Sequence, residues 1–372
     1  MRHLIYLYFR MRKLLQKIFS APIIRMANKY ASRPDQVRVH KALSTLFSNI
    51  QNRPGKKGIK LNFTPSSKVI IFSDQHKGIR DYRDDFALSE KNYLAALDYY
   101  NKEEYLYCNL GDSEELWKNK LDDVLKCNTA TFEAEKLFLK RNAFIKVFGN
   151  HDLYWANAPL AGLTLEKVYG QRIKIYEGVI FKMTLRKTPF YVFLTHGHQG
   201  DLQSDGNLFS KWFVSVIWGP FQSYLRINPN TPAYDNQLKS EHNTIMYNWT
   251  AQQSNLALIT GHTHQPVFNS LTHLEQLYMN LSTAKKGGNK EEIQKIEALL
   301  EAGNFSGDTS SRLDYSKNTY FNSGCCCFSD GDITGIEMEG GKIRLIKWKD
   351  ASRVILEECP LEHLLDTSSA LK

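Results

Sequence analysis

Five short polar clusters carry the residue types that bind divalent ions: SDQH (Asp74, His76), GD (Gly111, Asp112), GNHD (Asn150, His151, Asp152), THGH (His196, His198) and GHTH (His262, His264). Each alone is a weak signal, because Gly and Asn are common turn residues and a lone His at a strand end is ordinarily a core or turn residue. Together they hold six of the chain's 11 histidines. The chemistry these residue types suit is phosphoryl transfer: two divalent cations held ~3.5–4 Å apart can clamp both the attacking and the leaving oxygen of an in-line displacement. Such a pair needs a carboxylate to bridge it and mixed His, Asp and Asn ligands to complete each shell. Asp112 is the natural bridge. Asp74 and His76, two residues apart, can grip one ion from an extended loop, where alternate residues point to the same side. His262 and His264 share that spacing, so each can serve a different ion.

These side chains meet only if the fold delivers them to one place. The segments SSKVIIFSD, EYLYCNLGD, NAFIKVFGNHD, PFYVFLTHGH and LALITGHTHQP are apolar runs that end at the clusters, and each reads as a buried strand. Helix is expected over 87–100 and 133–141, between the first three. Strands alternating with helices argue for an α/β fold, in which functional groups gather on loops at the strands' carboxyl ends. IKIYEGVIFKMTLR adds further strand sequence, and TYFNSGCCCF, ITGIEME and KIRLIKW close the body. An aromatic-rich, helical stretch is expected over about 201–253 and a polar helix over 290–302. The run Cys325, Cys326, Cys327 is expected to continue the strand and pack as small apolar side chains, with an exposed thiol near the site as the lesser alternative.

In type and order the clusters resemble the pattern DxH, GD, GNH(D/E), H, GHxH of the calcineurin-like metallophosphoesterases, over about Lys68 to Trp348 less its insertions. The resemblance implies a four-layer double β-sandwich flanked by helices, two divalent metal ions, and a metal-bridging hydroxide as nucleophile. Carried over to this chain, it implies that Asp74, His76, Asp112 and His264 bind one metal, and Asp112, Asn150, His196 and His262 the other. His151 is then a proton donor to the phosphate or leaving oxygen, oriented by Asp152. Manganese is the first expectation for the metals, with iron and zinc also suited to such ligands.

Within that family GDSEELW and GHTHQP are similar to segments of the UDP-2,3-diacylglucosamine pyrophosphatases of lipid A synthesis, matching at Asp112, Glu115 and Trp117. Those enzymes carry a helical lid between their last two motifs. The aromatic stretch here occupies that place, which makes Trp212, Phe213 and Trp218, with His198, Glu115 and Trp117, candidate substrate contacts. An aromatic lid beside a polar metal site suits a charged head with acyl chains, although the same aromatics could equally cap the core. Two features depart from that subgroup. His151 stands where those enzymes usually carry Arg, and SDQHKG differs from their SDLHL. A general phosphomonoesterase and a nucleotide or nucleic-acid phosphodiesterase are therefore kept as alternatives, with a metal-free binding scaffold as a third. All seven ligand positions are filled, which disfavours the scaffold.

The net charge of +9 is concentrated at one end: residues 1–60 hold 14 Lys or Arg against a single acid, Asp35, a local charge of +13. The first residues, MRHLIYLYFRMRKLLQKIF, set Leu4, Leu7, Met11, Leu14, Leu15 and Ile18 on one helical face and Arg10, Arg12, Lys13 and Lys17 on the other. That is the pattern of a helix lying on an anionic membrane, and equally of one that docks on the body. Polyanions such as nucleic acid are compatible with the charge, but no recognisable binding module follows. The expected organisation is a basic amphipathic arm over 1–60, a metallophosphoesterase body over 61–350 with a lid near 201–253 and an insertion near 271–317, and a tail over 351–372. With no long apolar run and no CxxC, the expected location is cytoplasmic, peripheral on the membrane's inner face. The partners expected are a phosphorylated substrate and, through residues 1–30, an anionic membrane surface.

Overall fold

Each of the apolar runs becomes a short strand whose side chains alternate between two buried faces. The computed structural model describes residues 34–82, 84–157, 160–200, 236–272, 277–278, 280–281, 284–285, 287–302 and 319–365. Its helices are α1 (Gln36–Asn52), α2 (Glu90–Lys102), α3 (Leu121–Cys127), α4 (Thr129–Lys140), α5 (Tyr154–Asn157), α6 (Ala161–Tyr169), α7 (Asn236–Ala251) and α8 (Lys290–Ala302). The strands are β1 (Gly58–Asn62), β2 (Val69–Phe72), β3 (Leu106–Leu110), β4 (Phe144–Val147), β5 (Ile175–Tyr176), β6 (Gly178–Leu185), β7 (Thr188–Thr195), β8 (Leu256–Thr260), β9 (Val267–Phe268), β10 (Leu271–Thr272), β11 (Tyr320–Asn322), β12 (Ile333–Glu339), β13 (Lys342–Lys349) and β14 (Ser352–Pro360). They form two mixed sheets, ordered β1-β6-β7-β8-β11-β9-β10 and β14-β13-β12-β2-β3-β4-β5. The chain is an α/β protein, as the alternation of strands and helices predicts.

One core contains residues from both sheets: Val69, Ile71, Cys108 and Leu110 from one, and Val179, Phe181, Val192, Leu194 and Ile259 from the other. The intervening residues of the same strands point the opposite way. Ile70, Phe72 and Tyr107 meet Tyr93, Leu97 and Tyr100 of α2 and Phe138 of α4. Ile180, Phe193 and Leu258 meet α1 and the Ile245, Met246 and Trp249 side chains of α7. A strand buried on both faces must be apolar throughout, which is why these segments read as continuous hydrophobic runs rather than alternating ones.

Three expected boundaries are corrected. Residues 34–60 belong to the body, not to an appended arm. Asp35 caps α1 by accepting from the Arg38 N–H at 2.8 Å, and Val39, Leu43, Leu46 and Ile50 form a buried stripe at helical spacing. β1 then pairs in parallel with β6. The Lys and Arg residues of this stretch raise its charge while leaving the apolar stripe intact, so charge alone misplaces the boundary. Residues 352–360, expected in a tail, form β14 and pair antiparallel with β13. Of the stretch expected as a lid, residues 236–251 are α7, seated in the core against β7 and β8. Residues 1–33 and 201–235, which include Trp212, Phe213 and Trp218, lie outside the described residues. Among the described residues no helix is long and apolar enough to cross a membrane.

If α1 is structural, Leu43→Ala should lower the unfolding free energy by about 2–5 kcal/mol. Val37→Ala, on the exposed side of the same helix, should change it by less than about 0.5 kcal/mol. Urea denaturation of the two variants checks this; equal small effects would detach α1 from the core.

Candidate metal centre

β2, β3 and β4 run parallel in one sheet, and β7, β8 and β11 run parallel in the other, so each set ends at one edge. The clusters sit at those ends. Asp74 and His76 follow β2, Asp112 follows β3, Asn150 follows β4, His196 follows β7, and His262 and His264 follow β8. Short bonds tie the two edges together. The His262 N–H donates to Asp74 Oδ2 at 2.9 Å, Ser73 Oγ lies 2.7 Å from Ser323 Oγ, and the Cys326 N–H donates to the Asp74 carbonyl at 3.1 Å.

The turns that make this convergence possible are tight. Asp74, His76, Asp112, His262 and His264 all adopt left-handed backbone conformations, with φ of 54°, 50°, 50°, 71° and 55°. Asp and His tolerate that region better than most residues, but it still costs of order 1–2 kcal/mol each. Gly149 and Gly261 supply the closest approaches. A Cβ on Gly149 would fall on Asp112 Oδ1, and one on Gly261 would fall on Asp74 Oδ2 and Ser73 Oγ.

All seven expected ligand residues come together. Asp74, His76 and His264 present ligand atoms within 4.8 Å of one another, and so do Asp112, His196 and His262. Asp112 links the two groups: its Oδ2 lies 3.7 Å from His76 Nε2 and 3.2 Å from His196 Nε2. Asn150 Oδ1 also lies 3.2 Å from His196 Nε2.

The donor set fits divalent cations on three counts. Asp74 Oδ1 is buried with no hydrogen-bond partner, although His264 Nε2 lies only 3.2 Å away. His76 Nε2 and His264 Nε2 stand 3.0 Å apart, a separation at which the two can share at most one proton, whereas a cation satisfies both lone pairs. His196 Nδ1 lies 2.9 Å from the Leu110 carbonyl, which can only accept, so the other nitrogen faces the carboxylates. Without a cation, protons must take that place: burial pushes the His196 imidazolium down, but Asp112 and Asp74 outweigh it and raise its pKa to about 9.

His151 is held differently from the expectation. Its Nδ1 lies 3.0 Å from both carboxylate oxygens of Glu115, and its ring stacks on Trp117 at 4.2 Å and 15°. Asp152 does not orient it. That carboxylate accepts from the Gly149 N–H at 2.6 Å and the Ser113 N–H at 2.9 Å, which locks the GNHD turn to the GDS turn. Burial and the nearby charges of Glu114 and Asp112 push its pKa to about 7. Glu115 and Trp117, expected as substrate contacts, are therefore support for His151: Trp117 Nε1 also donates to the Asn150 carbonyl at 2.7 Å. His198 packs beside His196 and Phe148 with its Nδ1 unpartnered, and burial followed by the His196 charge lowers its pKa to about 3, so it stays neutral.

The cysteine run is corrected in part: it leaves the strand, while Cys326 packs in the apolar core as expected. Cys325, Cys326 and Cys327 lie in the loop after β11, and Cys327 Sγ stands 3.8 Å from His264 Nδ1. Beneath the site is a buried ionic network that the motifs do not reveal. Glu114 Oε1 accepts from Lys146 Nζ at 2.8 Å and lies 3.6 Å from Lys77 Nζ, which donates to Glu135 Oε1 at 2.7 Å. Trp155 Nε1 donates to the other oxygen of Glu114 at 2.7 Å. The lysine inside the apolar run AFIKVF was the one sequence signal for it.

No family model matches the chain, and no curated protein matches it. Solved structures similar to it include a cold-active protein-tyrosine phosphatase of a psychrophile, Shewanella sp., at 13% identity and TM-score 0.33, covering 80% of this chain and 82% of that one. Another is a protein serine/threonine phosphatase from Saccharomyces cerevisiae with similarity to human phosphatase PP5, at 10% identity and TM-score 0.28, covering 88% and 93%. Overlaps this loose carry no argument about activity.

Glu114→Gln should cost about 3 kcal/mol at neutral pH by leaving Lys77 and Lys146 short of a buried counter-charge. Burial disfavours ionised Glu114, but Lys146 and Lys77 outweigh it and hold its pKa at about 2 against an ordinary 4.5. Its contribution is thus complete above the ordinary value and lost as pH falls towards 2. Urea denaturation should show a constant gap between parent and variant above pH 4.5 that narrows as pH falls from there towards 2.

Proposed function

We propose that this protein is a hydrolase of phosphoester or pyrophosphate bonds, a member of the calcineurin-like metallophosphoesterases with a four-layer α/β sandwich and a dinuclear centre. The observation that carries the reading is the meeting of two His and carboxylate groups at Asp112, with a buried, unpartnered Asp74 oxygen and imidazole nitrogens turned towards the carboxylates. Asp74, His76, Asp112 and His264 would hold one divalent ion, and Asp112, Asn150, His196 and His262 the other. When bound, such ions make water nucleophilic at neutral pH and neutralise the phosphoryl oxygens.

The chain's own residues supply the rest. The Leu110 carbonyl fixes His196 in one tautomer, and Glu115 holds His151 by Nδ1. Nε2 is then the nitrogen left to hold or give a proton, and Trp117 keeps the ring from turning. His151 is thereby suited to protonate the leaving oxygen or stabilise charge on the phosphoryl group. The backbone N–H of His151 donates to Asp112 Oδ1 at 2.8 Å, which couples the placement of the proton donor to that of the bridging carboxylate.

The lipid-linked or sugar-nucleotide substrate, the helical lid and the membrane-surface arm form the finer part of this proposal; the lid and the arm rest on residues 1–33 and 201–235, and the substrate also on the likeness of GDSEELW and GHTHQP. A hydrolysis panel of mono-, di- and pyrophosphate esters, with and without acyl chains, at fixed manganese tests that part. Acyl-independent turnover would favour a general phosphatase or phosphodiesterase.

Asp112→Ala is expected to lose both bound metal and hydrolysis, and Asn150→Ala to lose metal as well as rate. His151→Ala should keep the parent's metal content and lower kcat roughly 10²–10⁴-fold. Metal analysis beside initial rates separates these cases; full activity in Asp112→Ala would overturn the proposal.

A further inference from the structure

The loop after β11 brings a second, chemically different ligand set against the first. Cys325 and Cys327 alternate with Cys326 along the chain. Cys326 points into the outer core with Phe72, Tyr93 and Ile333, and its N–H is pinned to the Asp74 carbonyl at 3.1 Å. The Cys325 carbonyl accepts from the Thr334 N–H at 3.0 Å. Ligand atoms of Cys325, Cys327 and His264 lie within 4.8 Å of one another, and Cys327 Sγ faces His264 Nδ1 at 3.8 Å. For a tetrahedral ion with metal–sulfur bonds of about 2.3 Å and metal–nitrogen bonds of about 2.0–2.1 Å, neighbouring ligand atoms are about 3.5–3.8 Å apart. The 3.8 Å from Cys327 Sγ to His264 Nδ1 is that of two corners of such a site, and Cys325 lies within 4.8 Å of both to supply a third.

We infer that His264 Nδ1, Cys325 Sγ and Cys327 Sγ form a thiolate site for a soft cation of the zinc, cadmium or copper(I) class, and that its occupation competes with the hard centre for His264. Thiolate ligands select soft ions, whereas the Asp, Asn and imidazole set on the other side suits harder ones. The competition follows from the imidazole ring. Neutral imidazole offers one lone pair and carries its proton on the other nitrogen. With Nε2 turned to Asp74 Oδ1 and a hard ion, Nδ1 bears the proton and donates towards Cys327. With a soft ion on Nδ1, the proton moves to Nε2 and the hard centre loses a ligand. Loading the soft site also releases the two thiol protons. The antagonism, though not the soft site itself, rests on the two-metal reading above.

The test is a cadmium titration of the full chain carrying Cys127→Ser, which removes the exposed thiol. The readout is the ultraviolet thiolate-to-cadmium charge-transfer band, which a carboxylate and imidazole site does not produce. The band should saturate at one equivalent, survive Cys326→Ser, weaken in Cys327→Ser and vanish in Cys325→Ser/Cys327→Ser. Saturating manganese should weaken cadmium affinity roughly tenfold or more, within the ordinary range of coupling between sites. Absence of the band in the parent, or its persistence in the double variant, overturns the soft site. Cadmium affinity indifferent to manganese overturns the competition. A band with this behaviour in a protein inert towards every phosphoester would uphold the soft site while the hydrolase reading falls; manganese-dependent hydrolysis without the band would do the reverse.

Discussion

Two carboxylates, Asp74 and Asp112, are buried where the only cationic groups within ion-pair distance, among the described residues, are imidazoles. Burying a charge without a counter-charge costs several kcal/mol, so this region of the fold is balanced only by protons on the imidazoles or by cations from solution. The rest of the site follows from that constraint. Ser73 and the His262 N–H hold Asp74 at one oxygen and leave the other free, and the His151 N–H holds Asp112 at one oxygen and leaves the other to face two imidazoles. Each carboxylate is half satisfied by the protein and half available.

A few ångströms below, the same problem is solved from within. Glu114 and Glu135 are as deeply buried, but Lys77 and Lys146 neutralise them, and Trp155, Tyr93 and Tyr169 fill their remaining acceptor positions. This network is complete without any ion. It therefore serves as the floor on which the GDSEELW loop stands, and it carries Glu115 at a fixed height beside His151. Internal compensation marks the scaffold, and incomplete compensation marks the site.

The strained turns belong to the same arrangement. Five of the seven expected ligand residues hold left-handed backbones, which persist because the strands on either side, paired in parallel and packed on both faces, leave the turns no other path. The resulting rigidity fixes not only the ligands but also the neighbours one step out. Cys325 and Cys327 reach His264 because Cys326 is bonded to Asp74's backbone and buried in the core.

Much of this was legible in the sequence. The ligand types, their order and their position at the ends of apolar runs follow from local rules: a strand buried on both faces is continuously apolar, and polar residues after it fall on the exit loop. What local rules cannot supply is which residues meet across the chain. Asp152 is next to His151 in sequence, yet Glu115, from another turn, orients it, because the carboxylate of Asp152 is already taken by two backbone N–H groups. The basic charge of residues 1–60 suggested an appendage, but the buried stripe of α1 lies on the side that the charge does not touch. The three cysteines read alike, and only the loop's bonds to Asp74, just after β2, and to Thr334 of β12 separate the one that enters the core from the two that face His264. The sequence alone determined the residue types and their placement at strand ends, because these depend on short-range periodicity. The tertiary structure decided their partners and the compensation of their charges, because both depend on contacts between segments distant along the chain.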